Sequence, residues 1–284
     1  MRWQNLLPGT LRREVRILLR KLRDVRNGDY KKFAHQSCMY PALHPLQDLQ
    51  HLRLDYADFP ERSSEQYADF DAIGMRQPIR ASETVTAKLR NLRIAVESIN
   101  TVALAPGAIF SFWHIVGRPL ARRGFQKSRM LVRGQLEHAI GGGLCQLSGL
   151  LYHLGLIGGL EILERHAHTR DIYTEAERFT PLGADAAVVY GVKDLRMQNP
   201  YDFPVQFQAR VHPDALTACL HAAGRLNYRH LHFERRRLIK NREEVFGWHV
   251  FNGSRRLISS DSYISNVHTT IARTEHAPVR LDTQ

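Results

Sequence analysis

The stretch Gly141-Gly-Gly-Leu-Cys-Gln-Leu-Ser-Gly149 places a cysteine directly after three glycines and before a long apolar run. A glycine-rich turn that leads into a helix brings backbone N–H groups and the positive end of the helix dipole close to the first helical residues. A thiolate at that position is stabilised, which lowers the pKa of the cysteine. The same N–H groups are suited to stabilise an oxyanion. The pattern therefore predicts Cys145 as a nucleophile.

The residues around Cys145 also suit the binding of a substrate. Gly141, Gly142 and Gly143 would let a substrate approach the backbone closely, and Gln146 offers a side-chain amide donor. The alternative is structural: the glycines form a tight turn, and Cys145 is a small buried residue that caps the helix.

A cysteine nucleophile usually requires a histidine as its base. His166 and His168 are two residues apart on a predicted strand, so both side chains face the same side and either could reach Cys145. Three carboxylates are candidates to orient the imidazole: Asp171, Asp185 and Asp194. A zinc site that includes these histidines is the weaker alternative, because the pattern lacks a second close pair of ligands.

Composition limits the classes of partner. The chain has 284 residues, of which 43% are hydrophobic and 24% charged, so a sizeable core needs neither disulfides nor metals. The net charge of +12 favours polyanionic surfaces such as nucleic acid, anionic lipid or wall polymers, without choosing among them. Nucleic acid is not expected, because the basic run at 235–237 lacks the interleaved aromatic residues of a single-strand binder.

Cysteine spacing and the absence of nucleotide motifs argue against a metal or a cofactor. Cys38, Cys145 and Cys219 are an odd number at wide spacing, which is not typical of a disulfide framework, and no CxxC pair occurs. The sequence contains no Walker-type phosphate loop and no GxGxxG motif. We therefore predict that the protein uses no metal and no cofactor.

Hydrophobic periodicity predicts an α+β fold with a helix-rich N-terminal part and mainly antiparallel strands later in the chain. We expect a basic amphipathic helix at 1–27, an irregular connection at 28–78, a core domain at 79–213 and a β-rich C-terminal extension at 214–284 packed on the core. Within the core we expect a helix at 82–100, a glycine-rich turn leading into a buried helix, and strands at 160–168 and 185–190.

The N-terminal helix has an apolar stripe and many arginines, which allows two interpretations. The stripe packs on its own domain with the arginines in solvent, or it lies on an anionic membrane. No run of residues is long and apolar enough to span a membrane, and no secretory signal is visible. We therefore expect a cytoplasmic protein, with residues 1–27 as the candidate contact to the inner face of the membrane.

Several motifs resemble the VanW family, which is named for an accessory component of B-type vancomycin-resistance clusters. They occur in the family's order over roughly residues 80 to 210: PGAIFSFW (106–113), Gly117, GGGLCQLS (141–148), Glu164-Arg165 with His168, Gly183-Ala-Asp185-Ala, and Asp194-Leu-Arg-Met-Gln-Asn199. Some multidomain relatives are regarded as peptidoglycan L,D-transpeptidases with the motif cysteine as nucleophile.

The resemblance implies an acyl transfer on peptidoglycan stem peptides, with a thioester formed on Cys145. His168 matches the family position and is the preferred base, with Asp185 as the orienting carboxylate. The motifs add Ser148, Arg165 and Asp194 to the expected substrate-binding residues. The alternative is a non-catalytic accessory protein that binds a peptidoglycan precursor through its glycine-rich turn.

Overall fold

The computed structural model describes residues 9–35, 71–132, 135–174, 178–238 and 241–265. The fold is α+β, as the hydrophobic periodicity predicts. Its helices are α1 (Gly9–Arg26), α2 (Asp29–Lys32), α3 (Val85–Asn100), α4 (Phe112–Val116) and α5 (Leu144–Ile157), with a short 3₁₀ helix at Ala121–Arg123.

Thirteen strands are present in the described residues, and almost all of their pairings are antiparallel. They are β1 (Asp71–Pro78), β2 (Ala103–Leu104), β3 (Ile109–Ser111), β4 (Lys127–Val132), β5 (Gln135–Ile140), β6 (Glu161–Glu164), β7 (Arg170–Asp171), β8 (Arg196–Gln198), β9 (Val205–Val211), β10 (Ala215–Ala222), β11 (His230–Arg237), β12 (Arg242–Phe251) and β13 (Ser254–Ser265).

The main core lies between two helices and a four-stranded sheet. Helices α3 and α5 contact each other and the sheet of order β1-β10-β9-β2. Helix α5 is apolar on nearly all sides, and 11 of its 14 residues are buried. A helix without a polar face is stable only inside a protein, so the core fixes the position of α5 and of the turn that precedes it.

A second sheet, of order β11-β12-β13-β7, stands beside this core, and smaller sheets join β3-β8-β6 and β4-β5. Strands β12 and β13 are joined at Asn252-Gly253, where both residues have positive φ, as the two-residue turn of a hairpin requires. Strand β7 links this second sheet to the segment that follows β6.

Several boundaries differ from the sequence-based expectation. Residues 71–78, placed in the irregular connection, form β1, which pairs along its whole length with β10. Its sequence has weak strand propensity, and the pairing with a buried partner strand overrides that propensity. The boundary expected at 213 and 214 falls in the turn between the paired strands β9 and β10.

Two expected strands are shorter or missing. The strand expected at 160–168 ends at Glu164, so His166 and His168 lie beyond it. Residues 185–190 are irregular apart from a single bridge between Val189 and Lys193. Most of the connection expected at 28–78, together with Cys38, lies outside the described residues. Within the part of the chain that the structure describes, no helix has the length and apolar character of a membrane span.

Candidate active site

Cys145 is the second residue of α5, immediately after a turn made by the three glycines. Gly141 and Gly143 have φ values of 85° and 95°, and no side chain caps the helix at Gly143. The N–H groups of Leu144 and Cys145 lie in the first turn, where a helix provides them with no intrahelical acceptor. Local sequence thus creates the donor-rich environment predicted for the cysteine.

The turn is held against the body by backbone contacts and by a buried asparagine. A Cβ at Gly142 would come within 2.2 Å of the Ser128 carbonyl oxygen, so this position requires glycine. The Asn91 amide donates to the carbonyls of Gly142 at 2.9 Å and Gln126 at 3.0 Å. This role of Asn91 was not predicted from the sequence. An asparagine among the apolar residues of the expected 82–100 helix is nevertheless a signal, because a buried amide needs hydrogen-bond partners.

His168 and Asp185 approach the thiol from the segments after β6. His168 Nδ1 lies 2.5 Å from Asp185 Oδ2, and the same oxygen accepts the His168 backbone N–H at 2.8 Å. The His168 side chain lies close enough to Cys145 to favour its thiolate, and Cys145 Sγ also lies 3.7 Å from the Val188 carbonyl oxygen. Because Asp185 occupies Nδ1, Nε2 is the ring nitrogen left for the thiol. The structure therefore brings together the three residues predicted as catalytic.

Electrostatics in this cluster favour a charged pair. Burial alone would raise the pKa of Cys145, but its hydrogen bond to His168 and the charge of His168 outweigh burial and lower it. Burial alone would lower the pKa of His168, but Asp185 and Cys145 raise it to about 10. His168 and Arg165 also hold the pKa of Asp185 well below its ordinary range, against the effect of burial. The shifts of Cys145 and His168 both favour the thiolate–imidazolium form of the pair over two neutral side chains.

The cluster is partly open to solvent. The side chains of His168 and Asp185 each keep 23% of their surface exposed, and Cys145 is half-buried. Cys219, in contrast, is buried in β10, and burial raises the pKa of its thiol to about 12. Of the two described cysteines, only Cys145 combines access with a lowered pKa.

The other histidine and carboxylate candidates have different partners. His166 Nε2 lies 2.9 Å from Glu164 Oε1. Asp171 binds the Arg178 guanidinium at 2.6 Å. Within the described chain, no group of three or more His, Cys, Asp or Glu side chains is arranged to hold a metal ion.

A network from the second sheet surrounds Asp185. Asp185 Oδ1 accepts hydrogen bonds from the Tyr263 hydroxyl at 2.5 Å and from Arg165 Nη2 at 2.9 Å. Arg165 is also paired with Asp261 and lies over the Tyr152 ring at 5.0 Å. Asp261 and Tyr263 belong to β13, far from Cys145 in sequence, and no local pattern marks either as a site residue.

Four residues expected to bind substrate have partners inside the protein. Gln146 Nε2 donates to the Pro78 carbonyl at 2.9 Å, while its Oε1 is buried with no hydrogen-bond partner in the described chain. Buried Ser148 donates to the Ala186 carbonyl at 2.7 Å. Asp194 is buried and accepts from Ser111 at 2.6 Å. With Arg165, which binds Asp185, these side chains organise the site from within.

Two of the three glycines expected to bind substrate use their N–H groups internally. The N–H of Gly141 donates to the Gln126 carbonyl at 3.1 Å, and that of Gly142 donates to the Ala139 carbonyl at 3.2 Å. These two N–H groups therefore stabilise the turn itself. The backbone N–H groups at the start of α5 are the hydrogen-bond donors next to Cys145.

The central part of the chain is similar to known proteins. Residues 87–221 match the family model described as VanW like protein. The chain is 29% identical over 143 residues to the uncharacterized protein YoaR of Bacillus subtilis (strain 168), which covers 50% of this chain and 46% of that protein. It is 31% identical over 119 residues to the vancomycin B-type resistance protein VanW of Enterococcus faecalis (strain ATCC 700802 / V583), which covers 42% of this chain and 43% of that protein.

The chain thus aligns with less than half the length of each of these relatives. No solved structure matches it. Cys145, His168 and Asp185 lie within the matched residues, whereas Asp261 and Tyr263 lie beyond them.

Proposed function

This chain belongs to the VanW family through residues 87–221, and we propose that it is a cysteine-dependent acyl transferase acting on peptidoglycan stem peptides. The observation that carries the proposal is that His168, held by Asp185, lies beside Cys145 at the start of α5. The substrate class is supported by the family resemblance and by the relative named for vancomycin resistance.

The arrangement accounts for the formation of an acyl-enzyme. The Cys145 thiolate attacks the carbonyl carbon of a peptide bond, and the N–H groups of the first turn of α5 stabilise the oxyanion. His168 then donates its Nε2 proton to the leaving amine, which departs and leaves a thioester on Cys145. Asp185 holds the ring through Nδ1, so that Nε2 stays directed at the reacting atoms.

The second half of the reaction reverses these proton movements. The amine of a second stem peptide enters, and neutral His168 takes its proton as the nitrogen attacks the thioester. The carbon–sulfur bond breaks and the Cys145 thiolate is restored. If water attacks in place of the amine, the same residues perform hydrolysis.

Intact-mass spectrometry of the protein incubated with a purified disaccharide tetrapeptide tests the proposal. We expect a covalent adduct with the mass of the acyl fragment, which hydroxylamine removes because it is a thioester. Cys145→Ala should abolish the adduct, and Cys219→Ala, which changes a buried thiol outside the cluster, should retain it. Absence of the adduct, or equal turnover by Cys145→Ala, contradicts the proposal.

The non-catalytic alternative makes a different prediction for one variant. Binding through the glycine-rich turn needs no reactive thiol, so Cys145→Ser would keep full function. The internal use of the Gly141 and Gly142 N–H groups leaves few turn donors for such binding. Substitution of Gly142 does not distinguish the two functions, because a side chain there collides with the Ser128 backbone in either case.

A further inference from the structure

Helix α1 turns its apolar residues toward solvent. Leu11, Leu18, Leu22 and Val25 follow one another at spacings of seven, four and three residues, so they form one stripe along the helix. Their exposed fractions are 48%, 57%, 57% and 62%. This result contradicts the interpretation that the stripe packs on its own domain.

The opposite face of α1 attaches the helix to the body. Ile17 is only 8% exposed, and it lies on the same face as Arg20 and Asp24. Asp24 accepts two hydrogen bonds from Arg196, at 2.9 and 2.7 Å, and Arg20 forms an ion pair with Glu164. The buried face of α1 therefore combines Ile17 with ion-paired side chains, and the leucine stripe is presented outward.

The charges of α1 complement an anionic surface. The helix carries seven cations and two acids. Both acids are engaged by the body, Asp24 by Arg196 and Glu14 by Arg118. The exposed cations of α1 are Arg13, Arg16, Lys21, Arg23 and Arg26. The exposed side of α1 thus combines an apolar stripe with positive charge, which is the composition of helices that lie in a membrane interface.

We propose that α1 docks the protein on an anionic lipid surface, with the stripe of Leu11, Leu18, Leu22 and Val25 inserted among the acyl chains. Pairing of two α1 stripes in a dimer would bring two rows of like charge together, so charge complementarity favours lipid. The proposal does not depend on the chemistry of Cys145.

The attachment of α1 has a consequence for the candidate site. Arg20 binds Glu164, and the next residue, Arg165, holds Asp185. Docking through α1 would therefore fix the orientation of the Cys145 cluster relative to the lipid surface.

Flotation of the full chain with phosphatidylglycerol-containing vesicles, compared with pure phosphatidylcholine vesicles, tests the proposal. We expect flotation with the anionic vesicles alone, weakened by salt. The double substitution Leu18→Gln and Leu22→Gln preserves charge and removes two exposed side chains, and it should weaken binding at least about tenfold. Arg16→Gln with Arg23→Gln should reduce both binding and its dependence on salt.

Leu257→Gln is the matched control, because Leu257 is 49% exposed on a different element, β13, and this variant should bind as the unsubstituted chain does. Circular dichroism melting should be the same for all variants. Absence of binding to anionic vesicles, or undiminished binding by the Leu18→Gln and Leu22→Gln double variant, overturns the proposal. So does a dimer in solution that this double variant converts to monomer.

Discussion

At the residue scale, the pKa of Cys145 is lowered and that of His168 is raised, so each shift favours the charged form of its own residue. Burial opposes both charges, so the hydrogen bonds within the cluster have to outweigh it. The charge on His168 therefore depends on Asp185 and Cys145 together.

The His168–Asp185 pair makes stability depend on pH, and a Cys145→Ala background isolates this effect. Without Cys145, Asp185 still raises the pKa of His168 above its ordinary 6.5, so the contribution of the pair is fully present below about pH 6.5 and is lost as pH rises through that raised pKa. We expect the free energy of unfolding of Cys145→Ala to exceed that of the Cys145→Ala/His168→Gln double variant below pH 6.5. Urea titrations across this range should show the difference shrinking as pH rises, and a difference independent of pH would contradict it.

A single site residue can be predicted from the sequence when its immediate neighbours in the chain indicate its role. Cys145 is marked by its own neighbours, since a glycine turn and an apolar run flank it directly. The choice of Asp185 over Asp171 came from the family resemblance, because spacing cannot show that Asp171 pairs with Arg178. Arg165 was expected to bind substrate, and only the fold shows that it holds Asp185.

At the element scale, the start of α5 is positioned by close backbone packing. Gly142→Ala should destabilise the protein by roughly 3 kcal/mol, because the new Cβ would meet the Ser128 carbonyl at 2.2 Å. Gly149→Ala, six residues beyond the turn, has its nearest neighbour at 3.6 Å and should be neutral or stabilising by up to about 1 kcal/mol. Denaturant unfolding of the two variants provides the comparison, and equal effects would contradict the packing.

The second sheet should act on the site through β13. Tyr263→Phe removes the hydroxyl that donates to Asp185, and we expect a loss of about 2 kcal/mol of stability. Because Asp185 is then held less firmly, the pKa of Cys145 should also rise toward 9.0. The pH dependence of Cys145 alkylation measures this shift.

Tyr228→Phe is the matched control, since it removes a hydroxyl that donates to another aspartate, Asp71, outside the cluster. This variant should leave the alkylation profile unchanged. If both variants alter the profile equally, Tyr263 has no specific role in positioning Asp185.

Elements with a strong periodic pattern could be predicted, and those that depend on tertiary pairing could not. The long apolar run after Cys145 predicts the buried helix α5, because a helix that is apolar on nearly all sides has to be buried. Strand β1 lacks such a pattern and exists because β10 offers it a buried partner. The role of β13 depends on contacts between segments about 80 residues apart, which periodicity does not encode.

At the scale of the whole molecule, buried ion pairs join α1 to the body. Asp24→Ala should destabilise the protein by about 3 kcal/mol, because it leaves the Arg196 guanidinium without its bidentate partner in a buried position. Glu14→Ala breaks the exposed pair with Arg118 and should cost less than about 1 kcal/mol. Equal costs in denaturant titrations would contradict a buried anchor at Asp24.

Sequence periodicity predicts α1 as an amphipathic helix but cannot show which face meets the body. A stripe of leucines normally packs inward, and here the buried pair of Asp24 and Arg196 reverses the orientation. The overall α+β class was accessible from the order of helical and strand patterns. The way the sheets converge on Asp185 required the three-dimensional structure.

The pH dependence of iodoacetamide alkylation at Cys145 tests the central claim most directly. Peptide-resolved mass spectrometry separates Cys145 from Cys38 and from Cys219, whose raised pKa should keep it unreactive. The structure predicts a midpoint for Cys145 below 9.0, and a midpoint above 9.0 in His168→Gln, where burial is no longer opposed by the imidazolium. A midpoint at or above 9.0 in the unsubstituted chain, or one that His168→Gln leaves unchanged, would contradict an activated thiolate at this site.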